Sequence, residues 1–300
     1  MITERASAKI NLFLHVGAKR ADGFHPLQSL AVFTGMGDTL EIAPAPELSL
    51  TIDGPFAKGL DGEGDNLVLR AAQALGAGGA KLKLTKNLPV ASGIGGGSAD
   101  AAAALRGLKQ LWGGDADLHV MAAALGSDIP VCVDSVPCFM EGRGEILRPV
   151  ESLPRLAMLL VNPGVAVPTR DVFAGLVTRS GVEMTLPSGR FRDTADLLRF
   201  LETTRNDLEA PARILQPVIG EVLTAMAALP GALFTRMSGS GATCFGLFAD
   251  DDCCRRAAEI LEKTSLEKNL GWWVAPSFVP ETGILHEDIG QDIGPTDRGL

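Results

Sequence analysis

The most regular pattern in the chain is alternation of apolar and polar positions. Residues 8–16 (AKINLFLHV) place Lys9 and Asn11 on one face of an extended segment and Ile10 and Leu12 on the other, which predicts a strand. Residues 28–33, 38–42 and 48–52 read the same way and are separated by Gly and Pro turns. The period then changes. Asp65 or Asn66 caps a helix through about Leu75, and residues 81–85 return to strand alternation. A glycine-rich loop follows, then an alanine-rich helix that runs to about Trp112 and stops at Gly113-Gly114. Residues 119–125 form a short helix, broken by Gly126-Ser127-Asp128-Ile129-Pro130 ahead of the apolar run Val131-Cys132-Val133. Residues 138–140 and 145–147 suit a hairpin around Gly142-Arg143-Gly144.

A boundary falls near residues 149–154, before a buried-looking strand at 156–161. Val167-Pro168-Thr169 opens a helix through Leu176, and further helices are expected at 193–201, 206–215 and 217–228. A second glycine cluster, from Ser238 to Thr243, separates strands at 232–237 and 244–248; its plain reading is a small-residue hairpin. A helix at 250–263 and a strand at 271–275 complete an α+β second half, and the residues after Val279 are polar, acidic and patternless. The expected division is therefore 1–153, 154–279 and a flexible tail at 280–300.

Length supports two domains, since 300 residues is long for one core. With 46% apolar and 21% charged residues the composition is that of a soluble globular protein. The net charge of −9 argues against a nucleic-acid backbone as partner. It does not exclude phosphate ligands, because Mg²⁺ and local amides reverse the field within one pocket. Five cysteines in no C-x-x-C pair and no Cys/His cluster suggest reduced thiols. The polar start MITERASAK and the lack of a membrane-length apolar run point to a cytoplasmic protein without membrane contacts. A monomer and a homodimer are equally compatible with these features.

The loop PVASGIGGGSADAAAAL carries the chemistry. Gly93, Gly95, Gly96 and Gly97 precede Ser98, a good N-cap, and a run of helix formers. Glycine lets a ligand come close to peptide N–H groups, and the helix N-terminus behind it attracts anions. Phosphate is the natural guest. Walker A is excluded, because Gly-Lys-Ser and Gly-Lys-Thr are absent. The dinucleotide fingerprint nearly fits, but Ser98 replaces its last small residue, and Asp115 and Asp117 follow a helix where the ribose partner should follow a strand. A plain flexible turn is the remaining alternative. Lys9 reads either as a solvated strand lysine or as a buried functional one, His25 as a loop residue or a ligand contact, and Asp128 as a turn aspartate or a base.

Taken together, Ala8-Lys9-Ile10-Asn11-Leu12, Asp22-Gly23-Phe24-His25, the loop at 89–100, Gly126-Ser127-Asp128-Ile129-Pro130 and Ser238-Gly239-Ser240-Gly241 occur in one order. That set resembles the galactokinase, homoserine kinase, mevalonate kinase and phosphomevalonate kinase superfamily over about residues 5–276. Within it, the AKINL and RADGFH blocks select the branch whose acceptor is a cytidine-diphospho-methylerythritol. The resemblance implies an α+β, two-domain small-molecule kinase fold: a mixed α/β N-terminal domain and a ferredoxin-like C-terminal domain, with the substrates in the cleft between them. It implies ATP-dependent phosphorylation of the acceptor's 2-hydroxyl in non-mevalonate isoprenoid synthesis, with ATP and Mg²⁺ as cofactors. Asp128 matches the general base and Lys9 its partner. Pro89, Val90, Ala91, Ser92, Gly93, Ile94, Gly95, Gly96, Gly97, Ser98 and Ala99 match the ATP loop, with Ser98 able to ligate Mg²⁺. Asn11, Phe24, His25, Thr169 and Phe173 match acceptor contacts, and the two phenylalanines would sandwich the pyrimidine. One departure is visible: the superfamily branch usually has tyrosine before the histidine, and this chain has no tyrosine at all.

Rival readings from other classes are a kinase of the same superfamily for another alcohol, which has no use for the Phe24-His25 pair, and a non-catalytic nucleotide-binding module, which needs neither Lys9 nor Asp128.

Overall fold

A computed structural model describes residues 1–21, 23–60, 66–76, 78–176 and 185–282. Two long antiparallel strands, β1 (Ile2–Val16) and β2 (Leu27–Pro44), organise the first half. With β3 (Ser49–Asp53), β4 (Ala80–Thr85), β5 (Cys138–Glu141) and β6 (Ile146–Pro149) they form a sheet of order β3-β4-β2-β5-β6, with β1 paired to β2. Strand β3 lies parallel to β4, and the other pairs are antiparallel.

The two strands expected at 28–33 and 38–42 are thus one. Gly35 and Gly37 do not turn the chain; they make room for neighbours. A Cβ on Gly35 would lie 2.7 Å from the Phe278 ring, and one on Gly37 would lie 2.5 Å from the carbonyl oxygen of Ala6. Glycine inside a strand marks this kind of close approach. The register of β1 against β2 also slips between Ser7 and Lys9.

Helices α1 (Leu67–Ala74), α2 (Gly96–Trp112), α3 (Leu118–Leu125) and α4 (Ile129–Asp134) share a core with this sheet. Asn66 caps α1 by accepting from the Val68 N–H at 2.9 Å, while Asp65, the other cap candidate, lies outside the described residues. Helix α4 occupies what the sequence reads as a break. Pro130 sits in its first turn, where the missing N–H costs nothing. The alanine run of α2 is buried against Leu40, Ile42, Leu82 and Leu84, the small side chains allowing close helix–sheet approach.

The second sheet has the order β10-β7-β9-β8, formed by β7 (Leu156–Asn162), β8 (Ala232–Met237), β9 (Cys244–Phe248) and β10 (Trp273–Val279). Between β7 and β8 lie α5 (Thr169–Ala174), α6 (Thr194–Glu202), α7 (Glu209–Leu215) and α8 (Val218–Ala227), and α9 (Asp251–Glu267) joins β9 to β10. All pairs are antiparallel. A βαββαβ path with the middle strands swapped in this way is the ferredoxin-like arrangement expected. Strand β10 runs four residues beyond the expected end, and Thr282 still pairs with Leu153 through two backbone bonds of 2.9 and 3.0 Å. The remainder of the expected tail, 283–300, lies outside the described residues.

The sheets are not separate globules. One apolar cluster contains Ile10, Leu12 and Val32 from the first sheet and Met158, Leu160 and Phe245 from the second. No described helix is long and apolar enough to cross a membrane.

All five cysteines are free, and only Cys253 is partly exposed. Burial pushes the Cys132 and Cys138 thiols up to about 12 and Cys254 up to about 11, so they are neutral and inert at pH 8. A disulfide-exchange reagent at that pH is expected to titrate one thiol rapidly, and the Cys253→Ser variant none before unfolding. Fast release of two or more thiols from that variant would contradict the packing described.

Candidate active site

The glycine loop bridges Lys86 and α2 and lies along a cleft of about 1420 Å³ between the sheets. Helix α2 begins at Gly96, capped by Gly95 at φ +66, and its first intrahelical bond joins the Ala99 N–H to the Gly95 carbonyl at 2.8 Å. Ser98, expected as the cap, therefore sits inside the first turn. The reason is steric: Gly95 packs on Lys9, whose Cβ and Cε are 3.3 Å from where a Gly95 Cβ would be, and only glycine combines that contact with a left-handed backbone. The N–H groups of Gly96, Gly97 and Ser98 precede the first helical bond, and no acidic residue stands in the first turn. Unpaired N–H groups at a helix N-terminus suit an anion.

The second glycine cluster is the loop of the β8–β9 hairpin, as its plain reading has it, and it also braces the first loop. The Ser238 hydroxyl donates to the Gly93 carbonyl at 3.1 Å and accepts from the Asn11 N–H at 3.1 Å, and the Thr243 N–H reaches Ser92 O at 3.1 Å. A Cβ on Gly93 would lie 2.6 Å from Ser238 O, so no other residue fits.

Lys9 is buried, not solvated, and Asp128 does not cap its own turn. As the residue before α4, Asp128 makes no capping bond; its Oδ2 accepts from Lys9 Nζ at 3.1 Å. The pair differs in exposure, with Lys9 at 4% and Asp128 at 45%, so the carboxylate is open to the cleft while the ammonium is not. Burial opposes the charge on Lys9, yet the nearby Asp128 holds its ammonium above the ordinary lysine range. The Lys9 N–H is also bonded to Ile94 O at 2.9 Å, which ties the strand to the loop.

Asn11 donates through Nδ2 to Ser29 Oγ at 2.7 Å, leaving its Oδ1 without a partner among the described residues. His25 Nδ1 lies 2.9 Å from Gly17 O. A carbonyl only accepts, so Nδ1 carries the hydrogen, and in the neutral form of the ring Nε2 is the acceptor. The Phe173 ring is 5.7 Å from the His25 ring, and the Thr169 hydroxyl is 2.9 Å from that of Ser240. Phe24 is half exposed at the rim. Asp22, which precedes Gly23-Phe24-His25 in its motif, lies outside the described residues.

The cleft thus gathers Lys9, Asn11, Phe24, His25, Asp128, Thr169 and Phe173 with the loop. Two loop positions do not face it: Ala99 is buried in the core beneath the first sheet and Ile94 in the apolar cluster shared by the two sheets. Asp117 belongs to the fold, capping α3 by accepting from the His119 N–H at 2.9 Å.

A buried triad was missed in the sequence. Lys86 Nζ donates to Asp38 and, at 2.6 Å, to Asp100 Oδ2, while Asp38 Oδ1 accepts from the Asn87 and Leu88 N–H groups at 2.6 and 2.9 Å. Burial pushes the Asp100 carboxyl up to about 7, against the pull of Lys86, and its Oδ1 has no hydrogen-bond partner. The only local signal was a carboxylate inside an otherwise apolar alanine run. Among the described residues no group of three or more His, Cys, Asp or Glu side chains could cage a metal. Mg²⁺ needs no such cage, since it is commonly held by one or two protein oxygens together with phosphates and water. Ser98, on the cleft wall with no hydrogen bond from its hydroxyl to a described residue, fits that role.

The descriptions "GHMP kinases N terminal domain" and "GHMP kinases C terminal" match residues 66–142 and 185–265. The chain is 50% identical over 273 residues to a 4-diphosphocytidyl-2-C-methyl-D-erythritol kinase of Cereibacter sphaeroides (strain ATCC 17025 / ATH 2.4.3), covering 91% of this chain and 97% of that one. To the enzyme of that name from Paracoccus denitrificans (strain Pd 1222) it is 52% identical over 274 residues, 91% of this chain and 95% of the other. A crystal structure of 4-(cytidine 5'-diphospho)-2C-methyl-D-erythritol kinase superposes with a TM-score of 0.73 at 32% identity, covering 93% of this chain and all of that chain. The homoserine kinase of Cytophaga hutchinsonii shares the fold, with a TM-score of 0.66 at 21% identity over 94% of this chain and 96% of its own. With a glycine loop that leaves N–H groups free at a helix N-terminus, a lysine–aspartate pair in the same cleft and relatives matching almost end to end, the chain belongs to the GHMP kinases, ATP-dependent small-molecule kinases, and within them to the 4-diphosphocytidyl-2-C-methyl-D-erythritol kinase family.

Proposed function

We propose that this chain transfers the γ-phosphoryl group of ATP to the 2-hydroxyl of 4-diphosphocytidyl-2-C-methyl-D-erythritol, in the methylerythritol phosphate route to isoprenoid precursors. The observation that carries the mechanism is the Lys9–Asp128 pair, which opens its carboxylate into the same cleft as the free N–H groups of α2. Phosphoryl transfer asks mainly for positioning and charge neutralisation. Asp128 accepts the proton of the acceptor hydroxyl as that oxygen bonds to the γ-phosphorus and the bond to the ADP oxygen breaks. Lys9 fixes the direction of the carboxylate and offsets charge on the transferred group. The loop at 89–99 holds the triphosphate, and Ser98 supplies a protein oxygen to Mg²⁺. The metal, when bound, shields the phosphate charge.

At the other end of the cleft, Phe24 and Phe173 flank the cytosine. Nε2 of His25, left as an acceptor by the Gly17 bond, meets the exocyclic amino group of that base. Phenylalanine in place of tyrosine keeps the stacking and loses a hydroxyl bond. Asn11 and Thr169 contact the acceptor between base and hydroxyl.

An ADP-release assay over a panel of alcohols tests the reading. Turnover is expected with the cytidine-diphospho compound and none with free methylerythritol phosphate or mevalonate. Phe24→Ala should raise KM for the acceptor about 5- to 150-fold, the worth of one stacked base at roughly 1–3 kcal/mol, and leave KM for ATP unchanged. Equal activity on free methylerythritol phosphate would overturn the cytidine assignment while leaving a kinase.

A further inference from the structure

Five cationic side chains line the cleft: Lys9, Lys19, Lys86, Arg143 and Arg170. Two are committed, Lys9 to Asp128 and Lys86 to Asp38 and Asp100. The other three have no ion pair with a described residue, and each belongs to a segment at the aromatic end. Lys19 is in the loop that carries Phe24 and His25, and Arg170 is on α5, one turn before Phe173. Arg143 lies over the Phe24 ring, its guanidinium carbon 4.7 Å from the ring centroid.

Arg143 is also the one whose backbone is fixed. It is at the tip of the β5–β6 hairpin, between Gly142 at φ +71 and Gly144 at φ +112. Its N–H donates to the Glu145 carboxylate, and the neighbouring Gly142 carbonyl accepts from the Leu27 N–H at 2.7 Å. The tip and the Phe24-His25 segment therefore form one wall. A planar guanidinium pre-oriented by stacking offers a two-pronged fit to phosphate oxygens that a lysine cannot.

We propose that Arg143 is a specificity-determining residue that binds the diphosphate of the acceptor beside the stacked cytosine. The proposal rests on the acceptor reading given above. It explains how a compound with a doubly charged linker is held although two of the cleft's lysines are already neutralised by carboxylates, and it adds a charge-based preference for a nucleoside diphosphate over a bare nucleoside.

Calorimetric titration with CDP and with cytidine, on the wild-type protein and the R143A and R143K variants, tests it. Expected are CDP binding weakened about ten- to a hundredfold in R143A, cytidine binding within twofold of wild type, and partial recovery of CDP binding in R143K. KM for ATP should not change. Equal weakening for CDP and cytidine would mean that Arg143 only props the Phe24 ring, and no change for either would remove it from the site; both overturn the proposal. Wild-type protein that binds neither compound would overturn the acceptor reading itself, and the proposal with it.

Discussion

Asp128→Asn is expected to lower kcat by about 10²- to 10⁴-fold, the usual cost of removing a general base, with KM for ATP nearly unchanged. The amide preserves shape and a bond acceptor, so the loss reports proton transfer rather than folding. Lys9→Ala should fall in the same range, because an unoriented carboxylate no longer faces the hydroxyl and Lys9 also packs against Gly95. The double variant should be little worse than either single one, as for residues that act as a unit. Steady-state ADP release, with nucleotide binding followed separately by thermal shift, checks all three. Near wild-type turnover in Asp128→Asn would rule out this base.

Lys86→Met is expected to destabilise the fold by about 3–5 kcal/mol, because it strands two buried carboxylates without a counter-ion. Asp38 would keep its two backbone donors, whereas Asp100, with one oxygen already unpartnered, would have none. Adding Asp100→Asn to Lys86→Met should therefore recover part of the loss. Urea unfolding of the single and double variants measures both effects, and a cost below about 1 kcal/mol for Lys86→Met would show that the triad is not under this electrostatic tension.

The local parts of the site were legible. The glycines, the alanine helix and the strand of Lys9 follow from backbone preference and periodicity over a few residues. What could not be read was which of several similar residues is buried. Lys9 and Lys83 both occupy polar positions of alternating strands, yet Lys83 is half exposed and Lys9 is enclosed, because its partner arrives from 119 residues away. Asp38, Lys86 and Asp100 likewise meet only once β2, β4 and α2 have packed. The misread turn at residues 35–37 has the same origin: Phe278 and Ala6, the neighbours that require glycine there, lie elsewhere in the chain. Ser98 was displaced from the cap by a contact between Gly95 and Lys9 that no local pattern contains.

The brace between the glycine clusters has a mechanical consequence. Ser238 is held at once by Asn11 and Gly93, and two neighbours repeat the arrangement. The buried Arg236 donates to Leu12 O at 2.9 Å from the second sheet to the first, and Leu14 exchanges backbone bonds of 3.0 and 2.8 Å with Arg205 and Asp207. Prising the sheets apart would break these bonds and open the shared core together, at a cost far above that of a hinge. The floor of the cleft is therefore expected to stay one stiff body during turnover, with substrate entry and product release left to the rim: the segment at 23–26, the hairpin tip at 142–144 and the first turn of α5. Severing the chain between β6 and β7 would accordingly yield two fragments that each lack half of a core, not two working modules.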